Sequence, residues 1–353
     1  MRGQKEDREG LFTYVGLESY VPADHPLRRV RKLVDQMLTD MDEELDQLYS
    51  HIGRPSIPPE QLLRGLVLQI LYSVRSERML VEQLQYNMLF KWFVGLQIDE
   101  KVWNATTFTK NRDRLLGEEV ARLFFDQTVR KAKKNRLLSD EHFTVDGTLI
   151  ESYASLKSYR PKDKSDNDPE NYHGQKRTND THQSITDPDA RLYRKGKGKE
   201  ARLYYTAHVL SENRNGLVCD IEVSAATGTA EIENAQIMLA RKSGDDKKRR
   251  TCGADKGYDT RRFVQFAREN RFTPHVAAKK SSGTVDRRTT RQPGYLISQR
   301  KRKRVEEIFG WGKTVGPLRK MKHRGIGLVR TVATLTAATY NILRMTNLEV
   351  NHA

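Results

Sequence analysis

The sequence has little cysteine, no long apolar run and a modest apolar share. Its two cysteines, Cys219 and Cys252, cannot build a disulfide framework or a four-thiolate zinc site. A reducing compartment is therefore expected. No stretch of 18 apolar residues occurs, so no membrane-spanning helix is expected. The opening MRGQKEDREG mixes charges of both signs around no apolar core, so no secretory signal is expected. Hydrophobic residues make up 37% of 353, below the usual share yet enough for real cores, which excludes global disorder. No internal repeat is visible. Length alone favours two domains.

What the chain does have is positive charge. It holds 63 Lys and Arg against 46 Asp and Glu, a net +17. Between Ala277 and Arg324, 15 Lys or Arg face only Asp286, Glu306 and Glu307. A second basic cluster spans Arg191 to Arg202, while Asp35 to Gln47 is acidic. Such an excess points to a polyanion, nucleic acid first, with a merely solvated basic surface as the alternative. Ile308, Phe309, Trp311 and Leu318 interrupt the basic region, so it belongs to a folded element rather than a tail.

Residues 1–137 read as all-helical. Asp24 and Pro26 open one helix, Pro58 and Pro59 a second, Ser76 a third, and Thr106 or Thr107 a long one to about Lys134. Residues 138–348 change pattern. Strands are expected at 142–145, 203–210, 217–223, 250–254 and 273–278, and helices at 230–242, 260–270, 300–312 and 327–345. Residues 157–200 read as a long polar excursion. Three antiparallel strands followed by strand–helix alternation imply an α/β (α+β) chain. Helices come first, then a mixed sheet in RNase H-like order.

Three acids sit where chemistry is done. Asp146 ends the first strand in FTVDGT, Asp255 ends a later strand in CGADKGYD, and Glu306 lies on RKRKRVEEIFGWGK. Sites in open sheets lie beyond strand carboxyl ends. Neighbouring carboxylates repel unless a cation joins them, and oxygen ligands favour Mg²⁺ or Mn²⁺. Two such ions, about 3.5–4 Å apart, serve phosphoryl transfer. Singly, each acid has an ordinary reading as a turn or surface charge. On the helix, Val305, Ile308, Phe309 and Gly312 form the apolar stripe, which Glu306 borders and Glu307 opposes. Glu306 is thus the candidate and Glu307 the alternative. Arg302, Glu306 and Lys313 fall on one line.

Taken together, these blocks, with GRPSIPPEQLLRGLVLQILYSVRSERMLVEQL (53–84), FKWFVGL (90–96), TTFTKNRDRLL (106–116), VDGTLIES (145–152) and THQSITDPDARLYRKG (181–196), make the chain resemble DDE transposases of bacterial insertion sequences. It looks like a member of the large group that includes the insertion-sequence-five family. The resemblance implies that Asp146, Asp255 and Glu306 are catalytic and bind metal. It implies Mg²⁺ or Mn²⁺ as cofactor, and cleavage at an element end followed by strand transfer. The group's third motif is Tyr, two residues, Arg, three residues, Glu, six residues, Lys. Arg302, Glu306 and Lys313 keep it, with Gln299 in place of Tyr. Arg302 and Lys313 are then expected to hold phosphates.

Recognition of terminal inverted repeats is expected from the N-terminal helices. Lys110, Asn111, Arg112 and Arg114 start a helix as base-contacting residues do, though they equally fit a solvated face. Arg54, Arg64, Arg75 and Arg78 are further phosphate candidates. Phe90, Trp92 and Phe93 read as core, with a dimer face as the alternative. His208 either faces the site or is an ordinary core or surface histidine. A homodimer on duplex DNA in the bacterial cytoplasm is expected. The rival readings are an RNase H-like nuclease without strand transfer, a domesticated DNA-binding repressor, and an RNA-associated basic protein.

Overall fold

A computed structural model describes residues 16–48, 56–115, 117–162, 177–196, 198–244, 248–279 and 283–352. Among the described residues, eight helices come first: α1 (Leu17–Tyr20), α2 (Pro26–Thr39), α3 (Asp42–Asp46), α4 (Pro59–Leu71), α5 (Glu77–Tyr86), α6 (Met88–Val94), α7 (Ala105–Leu115) and α8 (Glu118–Lys134). Their caps follow local chemistry. Ser76 Oγ accepts from the Met79 amide and Asn87 Oδ1 from the Phe90 amide, each at 3.2 Å. Two starts differ from expectation. His25, rather than Asp24, caps α2 through Nδ1. Asn104, rather than a threonine, accepts from the Thr107 amide at 2.7 Å. The long helix expected to Lys134 is two, because Gly117 takes an extended conformation between α7 and α8. Phe90, Trp92 and Phe93 are buried core.

The sheet is built from β1 (His142–Glu151), β4 (Arg191–Arg194), β5 (Ala201–Glu212), β6 (Val218–Ala225), β7 (Arg250–Ala254) and β8 (Phe272–Val276); β2 (Tyr159–Pro161) and β3 (His182–Ser184) form a separate small pair. Its spatial order is β6, β5, β1, β7, β8, with β4 also lying beside β5. β1, β5 and β6 pair antiparallel, while β7 and β8 run parallel to β1. This is the RNase H-like arrangement. β1 is longer than expected, because β5 pairs with it from Phe143 to Glu151, straight past Asp146-Gly147. Asp146 therefore lies within a strand, not at its end.

Helices α9 (Ala230–Ser243) and α10 (Arg261–Glu269) cover one face, packing Met238, Leu239 and Phe263 on Phe143, Val145, Leu210 and Cys252. The chain then forms α11 (Arg287–Thr290), α12 (Pro293–Lys301), α13 (Arg304–Thr314) and α14 (Ile326–His352). The expected single helix at 300–312 is broken between α12 and α13, so Arg302 caps one and Glu306 rides the other. The second face carries α13 and α14, and its core runs on into the N-terminal helices. The boundary expected near residue 137 falls between α8 and β1, and hydrophobic packing is continuous across it. By length and composition α14 would suffice for a membrane span, yet most of that stretch is buried, against α8, α4, α2 and β6.

Within the expected excursion, residues 163–176 lie outside the described residues. The remainder is tied down by TDPDA. Buried Asp187 accepts from the hydroxyls of Ser152 and Tyr205 and from the Gly325 amide, and Asp189 accepts from the Ile326 amide at 2.9 Å. The motif thus holds the start of α14 to the sheet.

Candidate active site

The parallel β1–β7 register pairs Thr144 with Gly253. Continued two residues, it sets Asp146 beside Asp255, just past the end of β7. There β1 has lost its β7 neighbour, so both carboxylates stand at an open edge. Each engages one local amide: Gly147 donates to Asp146 Oδ1 at 2.8 Å, and Gly257 donates to Asp255 Oδ1 at 2.7 Å. The other acid of the ADKGYD block, Asp259, accepts the amides of Lys279, Thr284 and Val285 and is structural.

Burial pushes the Asp146 carboxyl up to about 6, with the charges of Asp255 and Glu231 adding to it and Arg302 opposing. Glu231, in the first turn of α9, is also raised, by burial and then by Asp255. Sequence reasoning missed Glu231. No sequence signal pointed to it; the structure sets it against Gly147, where a methyl group would lie 3.1 Å from Glu231 Cγ and 3.2 Å from Oε1. The Tyr258 hydroxyl is buried without a hydrogen-bond partner among the described residues, and Glu231, Asp146 and Asp255 are the leading charges acting on it.

Helix α13 crosses this edge from the other face. Arg302, just before it, lies 3.5 Å from where a side chain on Gly253 would begin, and Lys313 near its end donates to Thr148 Oγ1 at 2.6 Å. Thr144 and Thr148 flank Asp146 along β1; Glu306 lies one turn beyond Arg302, and the leading charges acting on Asp146 are Asp255, Glu231 and Arg302, not Glu306. Val305, Ile308, Phe309 and Gly312 are the buried face, as expected. Glu306 is exposed with no partner among the described residues, whereas Glu307 is 3.9 Å from Arg344. No group of three or more His, Cys, Asp or Glu able to hold a metal ion occurs among the described residues. The open edge nevertheless fits a hard cation: two adjacent carboxylates, each with one oxygen free of local amides, and a raised Asp146.

Cations line the same edge. Arg302 Nε is buried without a hydrogen-bond partner among the described residues. Lys313 is lowered by burial and then by the charges of Lys195 and Arg319. Lys195 and Arg319 are thus the charges that act most on Lys313, which has no carboxylate partner among the described residues. Gln299 donates to the His275 carbonyl and so secures α12 to β8. His208 is fully buried, bonds Ser224 at 2.8 Å, and is lowered to about 3 by burial, as a core histidine is.

The other predicted contacts are dispersed. Lys110 and Arg114 are exposed on α7. Buried Arg112 pairs with Glu77 and Asp113, and Asn111 donates to the Thr107 carbonyl and accepts from Arg114. Arg64 pairs with Asp35 at 2.8 Å. Arg75 and Arg78 are exposed, and Arg54 lies outside the described residues.

Residues 138–342 match the family described as a transposase DDE domain, and residues 15–114 match a transposase domain of unknown function. No curated protein sequence matches the chain. Among solved structures, it is similar to the piggyBac transposase synaptic complex with hairpin DNA, at 10% identity and a TM-score of 0.44, over 92% of this chain and 76% of that one. It is also similar to the Mos1 strand transfer complex, at 12% identity and a TM-score of 0.22, over 78% and 82%. A third is the Mos1 mariner paired-end complex with Mn, at 15% identity and a TM-score of 0.20, over 90% and 84%.

Proposed function

The chain belongs to the DDE transposase family, enzymes of DNA transposition that use divalent metal ions, and we propose that it cuts and joins DNA at the terminal inverted repeats of an insertion sequence, in the group that includes the insertion-sequence-five family. The observation that carries this reading is the placement of Asp146 beside Asp255 at an open sheet edge, with α13 passing over them. Asp146, Asp255 and Glu306 would hold Mg²⁺ or Mn²⁺. Bound there, such cations activate an attacking oxygen and stabilise a leaving one.

The chain's own residues supply the rest. Arg302, with its unpartnered Nε, is suited to a phosphate next to Asp146. Lys313 is oriented by Thr148, and its repulsion by Lys195 and Arg319 is relieved when a phosphate lies among them. The attacked phosphodiester is thereby held in line with the acids. On α7, Lys110 and Arg114 are exposed and can meet DNA, while buried Arg112 ties α7 to α5 through Glu77 and Asn111 bonds within α7. Synapsis of two element ends favours a homodimer on DNA.

The test is cleavage and strand transfer on a labelled fragment bearing the flanking inverted repeats, with Mg²⁺, comparing wild type with Asp146→Asn. Asparagine keeps the size and removes the ligand charge. Wild-type products, absent from a variant that still binds DNA, are expected. Equal activity would remove Asp146 from the chemistry. Cleavage without joining would indicate a nuclease, and binding without chemistry in either protein a repressor.

A further inference from the structure

We propose that α12 is a DNA wedge: its exposed Leu296 and Ile297 enter the duplex near the phosphate that is cut and unstack a base step there. The inference rests on the transposase reading above and deepens it, because it assigns the part of the chain that opens the substrate beside the acids.

Tyr295, Ser298, Gln299 and Arg302 recur at i, i+3, i+4 and i+7 and form the inner face of this helix. The Tyr295 hydroxyl donates to the Val276 carbonyl at 2.9 Å, and Ser298 Oγ lies 2.7 Å from His275 Nδ1. With Gln299 on the His275 carbonyl, three side chains fix α12 to β8. The outer face consists of two columns, Leu296 with Arg300 and Ile297 with Lys301, each an i, i+4 pair. Leu296 is 63% exposed and Ile297 52%. Exposed aliphatic residues standing singly are ordinary. Two adjacent ones, on a helix held from below by hydrogen bonds, add little to this chain's own packing and are presented outward in a fixed orientation.

Charge selects the occupant. No acidic residue occurs from Arg287 to Val305, and the exposed side chains of Arg291, Arg300 and Lys301 have no hydrogen bond or ion pair among the described residues. An isologous contact through α12 between two copies would set these cations against each other. Duplex DNA instead offers phosphates to the cations and, between its bases, an apolar slot for the aliphatic pair. Position agrees with charge. α12 runs directly into Arg302, whose Cβ lies 3.5 Å from where a side chain on Gly253 would begin and whose charge acts on Asp146. At about 1.5 Å per residue, Ile297 and Leu296 stand about 7–9 Å along the helix from Arg302, a span of about two to three base steps. A phosphate held at Arg302 therefore brings the pair to a step close to the cut.

The test binds the full-length protein, without added divalent metal, to a fragment bearing the flanking inverted repeat, with the fluorescent base aminopurine placed in turn at each position around the cleaved end. Wild type is expected to raise the fluorescence at a step about two to three from the cut, and the double variant Leu296→Ala, Ile297→Ala to leave it at the level of free duplex. A mismatch at that step removes most of the unstacking cost, so wild type should bind mismatched DNA about 10-fold more tightly than matched DNA, while the double variant binds the two alike. Its thermal midpoint should equal that of wild type, because both side chains are exposed. A wild type that binds the fragment and cuts it once Mg²⁺ is added, yet shows no fluorescence rise, overturns the wedge and leaves the transposase reading standing. A wild type that neither prefers the repeat nor cuts it overturns both. A rise retained by the double variant removes Leu296 and Ile297 from the role. Sedimentation without DNA gives the last outcome: wild-type dimers that become monomers in the double variant would make the pair a protein interface and overturn the proposal.

Discussion

At Asp146, burial together with the charges of Asp255 and Glu231 holds the carboxyl near 6, against the Gly147 amide and Arg302. The folded protein thus favours the protonated form. This group's contribution to stability is complete below its ordinary value of 3.8 and is lost as pH rises through about 6. In chelator, Asp146→Asn should therefore melt higher than wild type at pH 7, with the gap closing toward pH 4; a lower melt at pH 7 would contradict the raised carboxyl. Asp146 and Asp255 were legible in the sequence because a short β-prone run ends at each block, and parallel register does the rest. Glu231 was not, since its partner is Gly147, about eighty positions away, and no spacing rule links an α9 first turn to a strand across the sheet. Arg112 misled for a related reason: on one long helix from Thr107 it would stand near the start, but α7 ends at Leu115, Arg112 and Arg114 lie in its last turn, and Glu77 on α5 neutralises Arg112.

Elements were legible where apolar periodicity was strong and blurred where polar residues set the boundaries. The Val305–Gly312 stripe predicted the buried face of α13, while the break at Arg302–Lys303 escaped notice because nothing in a run of basic residues marks it. Likewise the Asp146-Gly147 pair reads as a turn, and only β5 pairing carries β1 through it. TDPDA, opaque as chemistry, is clear as structure. Asp189 caps α14, so Asp189→Ala should cost about 1 kcal/mol in urea denaturation. Asp187→Ala should cost more, about 2–4 kcal/mol, because the buried Ser152 and Tyr205 hydroxyls lose their acceptor. Equal costs would mean that the capping of α14, rather than the buried network, dominates.

Across the whole molecule, one hydrophobic core joins the N-terminal helices to the α13–α14 face of the sheet. Helices α2, α4 and α8 are thereby held in fixed relation to the sheet that carries Asp146 and to α14. The net charge of +17 works at this scale. Duplex DNA that reached both α7 and the α13 edge would release counterions from many phosphates, and with about 6–10 neutralised its affinity should fall about 10³- to 10⁵-fold between 50 and 200 mM salt. Lys313 offers a discriminating substitution. The charges of Lys195 and Arg319 act on it and it has no acidic partner among the described residues, so Lys313→Met should relieve repulsion in the free protein and leave or raise its thermal midpoint. On DNA the same change should weaken binding for every sequence tested and reduce the salt slope by about 1. Binding titrations of wild type and variant across a salt series decide it. An unchanged slope would place the DNA backbone away from Thr148, and a loss confined to one DNA sequence would make Lys313 a base reader instead of a phosphate contact.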